Sequence, residues 1–223
     1  MGAHGTDVAR EAAGLVLLDD DFSSIVLAVR MGRRVFDNIK KALAYTLSVH
    51  VPIAGMTMLP VLFQWPLMLM PVHIVFMELL IDPACSVVFE GEPEEKDIMD
   101  KPPRDPKEPL FNRKQIVISL LQGFSVLLFV LAVFLYASST GHEERDTRAL
   151  VFMTLIIANI CLILTNRSWT KNLFSIMRTP NKALWYVLGG AIIFLGAVIY
   201  TPFLQNVFSV EVLHPRDILI CLG

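Results

Sequence analysis

Long apolar blocks separated by short polar stretches dominate the chain after its first forty residues. Blocks that approach about 20 apolar residues are typical of helices that span a bilayer. Five blocks are predicted to be complete spans, and they occupy residues 42–63, 67–89, 116–137, 149–165 and 184–201. Only residues 64–66 separate the first two, which predicts a tight helical hairpin. A sixth run, 217–223, is too short to cross, so we expect a truncated sixth span in a mainly α, polytopic membrane protein.

The segment before the first block has the mixed polar and apolar pattern of a soluble region. A polar cap at Thr6 or Asp7 predicts a short helix over residues 8–13. The apolar run 14–18 is typical of a buried strand. This strand would end at the acidic run 19–21, whose aspartates are interpreted as solvated loop residues rather than magnesium ligands.

A second helix is predicted to start at Ser23 or Ser24, because apolar side chains then recur at helical spacing. Nothing interrupts the pattern before the first apolar block, so we expect a stalk helix that continues directly into the membrane. The predicted organisation is a small soluble part (residues 1–24), a stalk (25–41) and a transmembrane part (42–223). The transmembrane part includes one long cytoplasmic loop (90–115).

The placement of Lys and Arg predicts the orientation. With a cytoplasmic N-terminus, sixteen of the 19 basic side chains fall on the cytoplasmic side and three on the other, namely Arg145, Arg148 and Arg216. Cytoplasmic loops carry such an excess, so we expect a cytoplasmic N-terminus. We expect the protein to reside in the plasma membrane. The composition agrees with the lipid bilayer as a partner, since 54% of residues are hydrophobic and 18% are charged, against about 25% charged in soluble domains. A net charge of −2 gives no support for nucleic-acid binding.

Two carboxylates, Glu78 and Asp82, lie deep inside the second block. A charge at the bilayer centre costs roughly 2.5–3.5 kcal/mol on insertion scales. At i and i+4 the two side chains share one helical face and repel each other. A bound cation relieves both penalties, and Pro83 frees a carbonyl of the preceding turn that could join it. The pattern therefore predicts an intramembrane metal or proton site, although a protonated pair that joins helices is the alternative.

Other polar residues in the apolar blocks are candidate members of this site. His50 lies mid-way along the first span beside the helix-breaking Pro52, and Asn159 lies mid-way along the fourth. Each is either a cation ligand or a partner in an interhelical hydrogen bond, and the same two readings apply to His73. The glycines of the fifth span, 189–190 and 196, are predicted to allow close helix packing.

Three ordered motifs resemble the P-type cation ATPases, in their calcium-pump-like branch. Residues 1–13 (MGAHGTDVAREAA) and 16–22 (VLLDDDF) are similar to the end of the phosphorylation domain of these pumps. Residues 32–33 and 38–41 (NIKK) resemble the stalk that follows it. Residues 97–111 (DIMDKPPRDPKEPLF) are very similar to the loop after the sixth helix. The resemblance covers nearly the whole chain.

The resemblance implies what the chain contains. Its spans would be the fifth to ninth helices of a ten-helix pump and the start of the tenth, after a remnant of an α/β phosphorylation domain. Glu78, Asp82, His50 and Asn159 would stand at positions where such pumps carry cation ligands. No catalytic residue would lie in this chain, because the phosphorylated aspartate and the sites for ATP and Mg²⁺ belong to the N-terminal part of the parent pump, which is a further partner. This polypeptide alone is therefore expected not to hydrolyse ATP.

The chain also departs from the calcium-pump pattern. Ile53 occupies the place of a fifth-helix glutamate, and the run Glu78-Leu79-Leu80-Ile81-Asp82 differs from the usual Asn-x-x-Thr-Asp. A divalent cation is favoured as the cargo, while a proton or a monovalent ion stays open. The alternative function is a non-catalytic membrane module derived from such a pump, either a partner subunit or a passive cation leak.

Overall fold

The fold is a bundle of membrane-length helices. A computed structural model describes residues 2, 5–95, 97–100, 102–103, 109–110, 112–168, 180–213 and 221. These residues form seven α-helices and one π-helical segment: α1 (Asp7–Ala12), α2 (Ser23–Phe63), α3 (Pro71–Pro83), π1 (Ala84–Phe89), α4 (Arg113–Ser139), α5 (Glu144–Asn166), α6 (Lys182–Tyr200) and α7 (Pro202–Phe208). The five predicted spans are confirmed as five helices long and apolar enough to cross a membrane. The predicted sixth span, 217–223, lies outside the described residues except for Cys221.

The stalk and the first span are one continuous helix, as predicted. Helix α2 has 41 residues, which at 1.5 Å per residue is about 60 Å, twice the thickness of the hydrocarbon core. Roughly half of it must therefore project beyond the bilayer. The helix ends at Gln64, which adopts a left-handed conformation (φ 56°) and donates its backbone N–H to the Pro60 carbonyl.

Pro52 does not break α2, which corrects the prediction. The helix continues through Pro52, and this residue is buried against its neighbours. A proline removes one backbone donor, so the effect of Pro52 is confined to the carbonyl of Ser48, four residues earlier.

The connection between the first two spans is longer than predicted. Helix α3 begins at Pro71 rather than at residue 67, with proline in its favoured first-turn position. Met68 and Leu69 in the connection are buried. The buried Arg148 of α5 fixes it by donating from Nε (3.2 Å) and Nη2 (3.0 Å) to the Leu67 carbonyl. Tertiary contacts, not a tight turn, therefore position this loop.

The predicted strand over residues 14–18 does not form, and the described residues contain no strand. Leu15 and Leu18 are exposed. Among the described residues, the Gly2 N–H donates to the Leu17 carbonyl at 2.7 Å. A strand needs a neighbouring strand to satisfy its backbone, and the described residues supply no strand beside this run.

Helix α5 occupies the interior of the bundle and α4 the periphery. Two thirds (67%) of the most apolar window of α5 is buried, against 22% for α4. Helix α2 packs against α4, α5 and π1, while α6 packs against π1, α5 and α3. The described part of the chain is therefore organised around α2 and α5.

Close helix approach occurs at different glycines from those predicted. Gly189, Gly190 and Gly196 of α6 have no atoms from other parts of the described structure within 4 Å of an added Cβ. A Cβ at Gly123 of α4 would instead lie 2.5 Å from the Ser48 carbonyl oxygen. Another at Gly55 would lie 2.5 Å from a Leu127 methyl carbon. The small-residue contact therefore joins α2 and α4.

Candidate functional site

His50 of α2 and Glu78 of α3 face each other. Nδ1 of His50 lies 2.7 Å from the Thr46 carbonyl oxygen. A carbonyl can only accept, so Nδ1 carries a proton and donates it. In the neutral ring Nε2 is then an acceptor, and it lies 3.6 Å from Glu78 Oε1. That separation is too long for a hydrogen bond; a shared proton or cation would turn two opposed acceptors into ligands of one charge.

Asp82 lies one turn beyond Glu78 and is exposed. Its backbone carbonyl accepts a hydrogen bond from Ser86 Oγ at 2.7 Å. The side chains of His50 and Glu78 are also open, with 49% and 41% of their surfaces exposed. Carboxylates in contact with lipid are costly. This face must therefore be covered by protein or water when the bundle lies in a bilayer.

Pro83 changes the helix immediately after these carboxylates. Helix α3 ends at Pro83, and the π-helical segment π1 follows without a gap. Pro83 has no N–H to donate, so the Leu79 carbonyl loses its helical partner. Short π-helical segments are frequent at functional sites. The helix thus continues past Pro83 with a change from α to π geometry, and the helix-breaking role of Pro83 at the site stays a prediction.

Asn159 of α5 contacts Tyr45 of α2 rather than the described carboxylates. The Tyr45 hydroxyl donates to Asn159 Oδ1 at 2.5 Å, and both residues are buried. Asn159 Nδ2 is buried with no hydrogen-bond partner among the described residues. The contact corresponds to the interhelical reading of Asn159; its role as an ion ligand stays a prediction.

His73 lies in an aromatic cluster. The ring is fully buried, and Nδ1 accepts from the Met70 N–H at 3.1 Å. It packs edge-on against Phe152 (4.7 Å between ring centroids) and Phe208 (5.4 Å). These contacts stabilise the start of α3 and join it to α5 and α7, which favours a structural role for His73.

The described residues hold no group of three or more His, Cys, Asp or Glu side chains that could bind a metal ion. Ca²⁺ takes six to eight oxygen ligands. Glu78, Asp82 and His50 can therefore supply only part of a divalent coordination sphere, and carbonyls, water or another segment must supply the rest.

Sequence comparison identifies the family of this helix bundle. The family described as "Cation transporting ATPase, C-terminus" matches residues 66–223. The chain is 31% identical over 98% of its length to calcium-transporting ATPase 1 of Yarrowia lipolytica and 32% identical over its whole length to calcium-transporting ATPase type 2C member 1 of Homo sapiens, covering 24% of each. It is also 32% identical over its whole length to the calcium-transporting ATPase of Bacillus subtilis, covering 25% of that protein. The chain belongs to the P-type cation-transporting ATPases. It spans about a quarter of the length of these relatives and corresponds to their C-terminal membrane part.

This ATPase chain contains a buried ionic network that is not evident from the sequence. Glu92, in the loop after π1, accepts from Arg167 Nε (2.9 Å) and Nη2 (3.1 Å) and from Asn181 Nδ2 (2.9 Å). The side chains of Arg167 and Glu92 are 0% and 3% exposed. Three residues beyond Glu92, Glu95 accepts from Lys41 Nζ and from Ser168 Oγ, each at 2.9 Å. The loop thus joins α2 to the segments at the end of α5 and the start of α6.

The outer part of the same loop is tied to the stalk of the ATPase. Arg30 donates through Nε to Glu94 Oε2 at 2.8 Å, and through Nη2 to Oε1. This hydrogen-bonded guanidinium lowers the pKa of the Glu94 carboxyl. Asn38 Nδ2 donates to the Glu92 carbonyl at 2.8 Å. In sequence these glutamates were indistinguishable from other loop residues, because their partners are 54 or more positions away.

Proposed function

We propose that this chain is the transport half of an ATP-driven cation pump and that Glu78 and Asp82 bind the transported cation, with His50 beside them. The observation that supports this most is the opposed pair His50 Nε2 and Glu78 Oε1, 3.6 Å apart on an open face of the apolar helix bundle. The pair has a ready partner in a cation or a proton. The names of the relatives favour Ca²⁺ as the cargo.

The incomplete ligand set supports a site shared with the rest of the pump. Helix α3 would supply two carboxylates, and the Leu79 carbonyl freed by Pro83 would supply an oxygen. The exposed face of His50 and Glu78 is where a further helix of the pump would close the site. ATP and Mg²⁺ would be bound by that N-terminal part, so this polypeptide alone is expected to show no phosphate-dependent ATPase activity.

The stalk would link the two halves. We propose that α2 carries conformational changes from a phosphorylated cytoplasmic part to the cation site, because one unbroken helix contains both the stalk and His50. The bias of Lys and Arg supports a cytoplasmic N-terminus. We propose the plasma membrane as the location of the pump.

The test is cation-stimulated ATP hydrolysis by a full-length pump that contains this C-terminal part. Glu78→Gln and Asp82→Asn should each weaken cation activation at least tenfold while leaving expression unchanged. Glu90→Gln, an exposed carboxylate just beyond π1, is the matched control and should leave activation unchanged. Running the assay with calcium, magnesium, manganese, sodium and acid pH identifies the cargo. Unaltered cation dependence in both site variants would refute the assignment.

The exposed site also favours a second candidate, a passive cation pathway. Liposomes that contain this chain alone and a calcium indicator would distinguish the two. If the chain is part of a pump, calcium should enter these liposomes no faster than empty ones. Calcium entry that is abolished by Glu78→Gln would instead support a passive cation pathway.

A further inference from the structure

A cavity with both polar and apolar walls lies between α2, α4 and α5, away from the candidate cation site. Its volume is about 550 Å³, and it is bounded by Lys114, Gln115, Ser119 and Gln122 on α4 and by Asn166 at the end of α5. Lys114 is exposed at the first turn of α4. The cavity is therefore at the end of the bundle where the helices leave the membrane.

Two lining residues of this cavity have amide donors without a partner among the described residues. Gln122 Oε1 accepts from Ser48 Oγ (3.2 Å) and from Asn166 Nδ2 (3.4 Å), and no described group accepts from its amide nitrogen. The same holds for Gln115, whose Oε1 accepts from the Asn112 N–H at 3.4 Å. With Lys114, three lining residues therefore offer nitrogen donors at this cavity.

The charge of the cavity suits an anion. None of its described lining residues is Asp or Glu, and Lys114 is the charged member. Donors that converge on a partly enclosed space beside one ammonium favour phosphate oxygens, which accept several charge-assisted hydrogen bonds. Basic pockets between transmembrane helices bind the head groups of anionic lipids.

An apolar surface continues from the cavity along α4. Ile118 lines the cavity and is 46% exposed, and Leu121, one turn further into the membrane, is 61% exposed. Helix α4 is the least buried of the five membrane-length helices, and this surface is uncovered in the described part of the chain. A ligand in the cavity could therefore extend two acyl chains along α4, which a free phosphate ion does not have.

We propose that this cavity is a binding site for an anionic phospholipid, with the phosphate held by Lys114, Gln115 and Gln122 and the acyl chains packed on Ile118 and Leu121. The site is independent of the cation site at Glu78. Lipid bound there would join α4 to α2 and α5 at the membrane surface.

The test measures lipid binding to the purified full chain after delipidation in detergent. Native mass spectrometry with phosphatidylglycerol or phosphatidylcholine reports bound lipid, and thermal unfolding reports the stabilisation. A charge-assisted hydrogen bond to a phosphate oxygen is worth about tenfold in affinity. Lys114→Gln should weaken phosphatidylglycerol binding by about that factor. Arg113→Gln, the same charge change outside the cavity, is the matched control and should alter it less than twofold.

A second pair of variants keeps the charge constant. Ile118→Trp narrows the mouth of the cavity and should abolish the bound phosphatidylglycerol, whereas Leu121→Trp should leave the head group in place. Equal losses in Lys114→Gln and Arg113→Gln would show non-specific attraction and overturn the proposal. So would undiminished binding in Ile118→Trp, equal binding of phosphatidylcholine, or the same stabilisation by inorganic phosphate alone.

Discussion

The carbonyl oxygen of Ser48 lies 2.5 Å from the place that a Cβ atom would occupy at Gly123. Ser48 is four residues before Pro52, so its carbonyl has no helical donor. Helix α4 approaches α2 at this point because Gly123 has no side chain. A proline in one helix and a glycine in another thus form one packing feature.

Gly123→Ala should destabilise the bundle. The added methyl group would overlap the Ser48 carbonyl, and overpacking of this kind costs about 1–3 kcal/mol. The measurement is the unfolding free energy in mixed micelles. Gly190→Ala is the control, since an added Cβ there meets no atom of the described structure within 4 Å, and it should be neutral or slightly stabilising. Equal stability of the two variants would contradict close packing at Gly123.

Glu92→Gln should be strongly destabilising. It removes the carboxylate that pairs with the fully buried Arg167, and breaking a buried pair on one side costs about 3–5 kcal/mol. Thermal unfolding in detergent measures the effect. Glu94→Gln changes the same residue type two positions away, where the ion pair with Arg30 is partly exposed, and we expect a small change there. Similar losses in both variants would argue against a special role for Glu92.

Acid should loosen the start of α2. Asp19 Oδ2 accepts from the Ser24 hydroxyl at 2.5 Å, and Asp21 Oδ1 accepts from the Ser23 N–H at 2.9 Å. The hydrogen bond from the Ser24 hydroxyl lowers the pKa of Asp19, and hydrogen bonds from the side chain and the N–H of Ser23 lower the pKa of Asp21, each below its usual value. A lowered folded-state pKa means stabilisation that is complete above the unfolded pKa and is lost as the pH falls through the folded value. Amide exchange at Ser23 and Ser24, corrected for intrinsic rates, should therefore accelerate below about pH 4. Asp21→Asn, which retains an acceptor, should reduce this pH dependence.

Tyr45→Phe tests what Asn159 does. Loss of the hydroxyl leaves Asn159 Oδ1 buried without its donor, which should cost about 1–3 kcal/mol. In the full-length pump, a purely interhelical role predicts lower stability with unchanged cation activation. A shift in cation affinity in both Tyr45→Phe and Asn159→Leu would instead support Asn159 as a ligand. The double variant shows whether the two effects are coupled.

The sequence by itself determined the helices. Spans of about 20 apolar residues have few alternatives in a bilayer, because each backbone polar group must be paired within the segment. Because charge is costly inside a bilayer, the position of Glu78 and Asp82 in an apolar block, followed by Pro83, was enough to predict a cation site there. The unbroken stalk followed from local periodicity, which needs no knowledge of distant residues.

Tertiary structure decided what depends on partners far along the chain. The run 14–18 has the composition of a strand, yet a strand requires a neighbour that no local pattern supplies. Glu92 became a buried anion only because Arg167 and Asn181 surround it. Glycines looked alike in sequence, and only the packing of α4 on α2 placed Gly123 against the Ser48 carbonyl. Local patterns fix which segments are helical, whereas contacts over 50 or more residues fix burial, charge pairing and helix spacing.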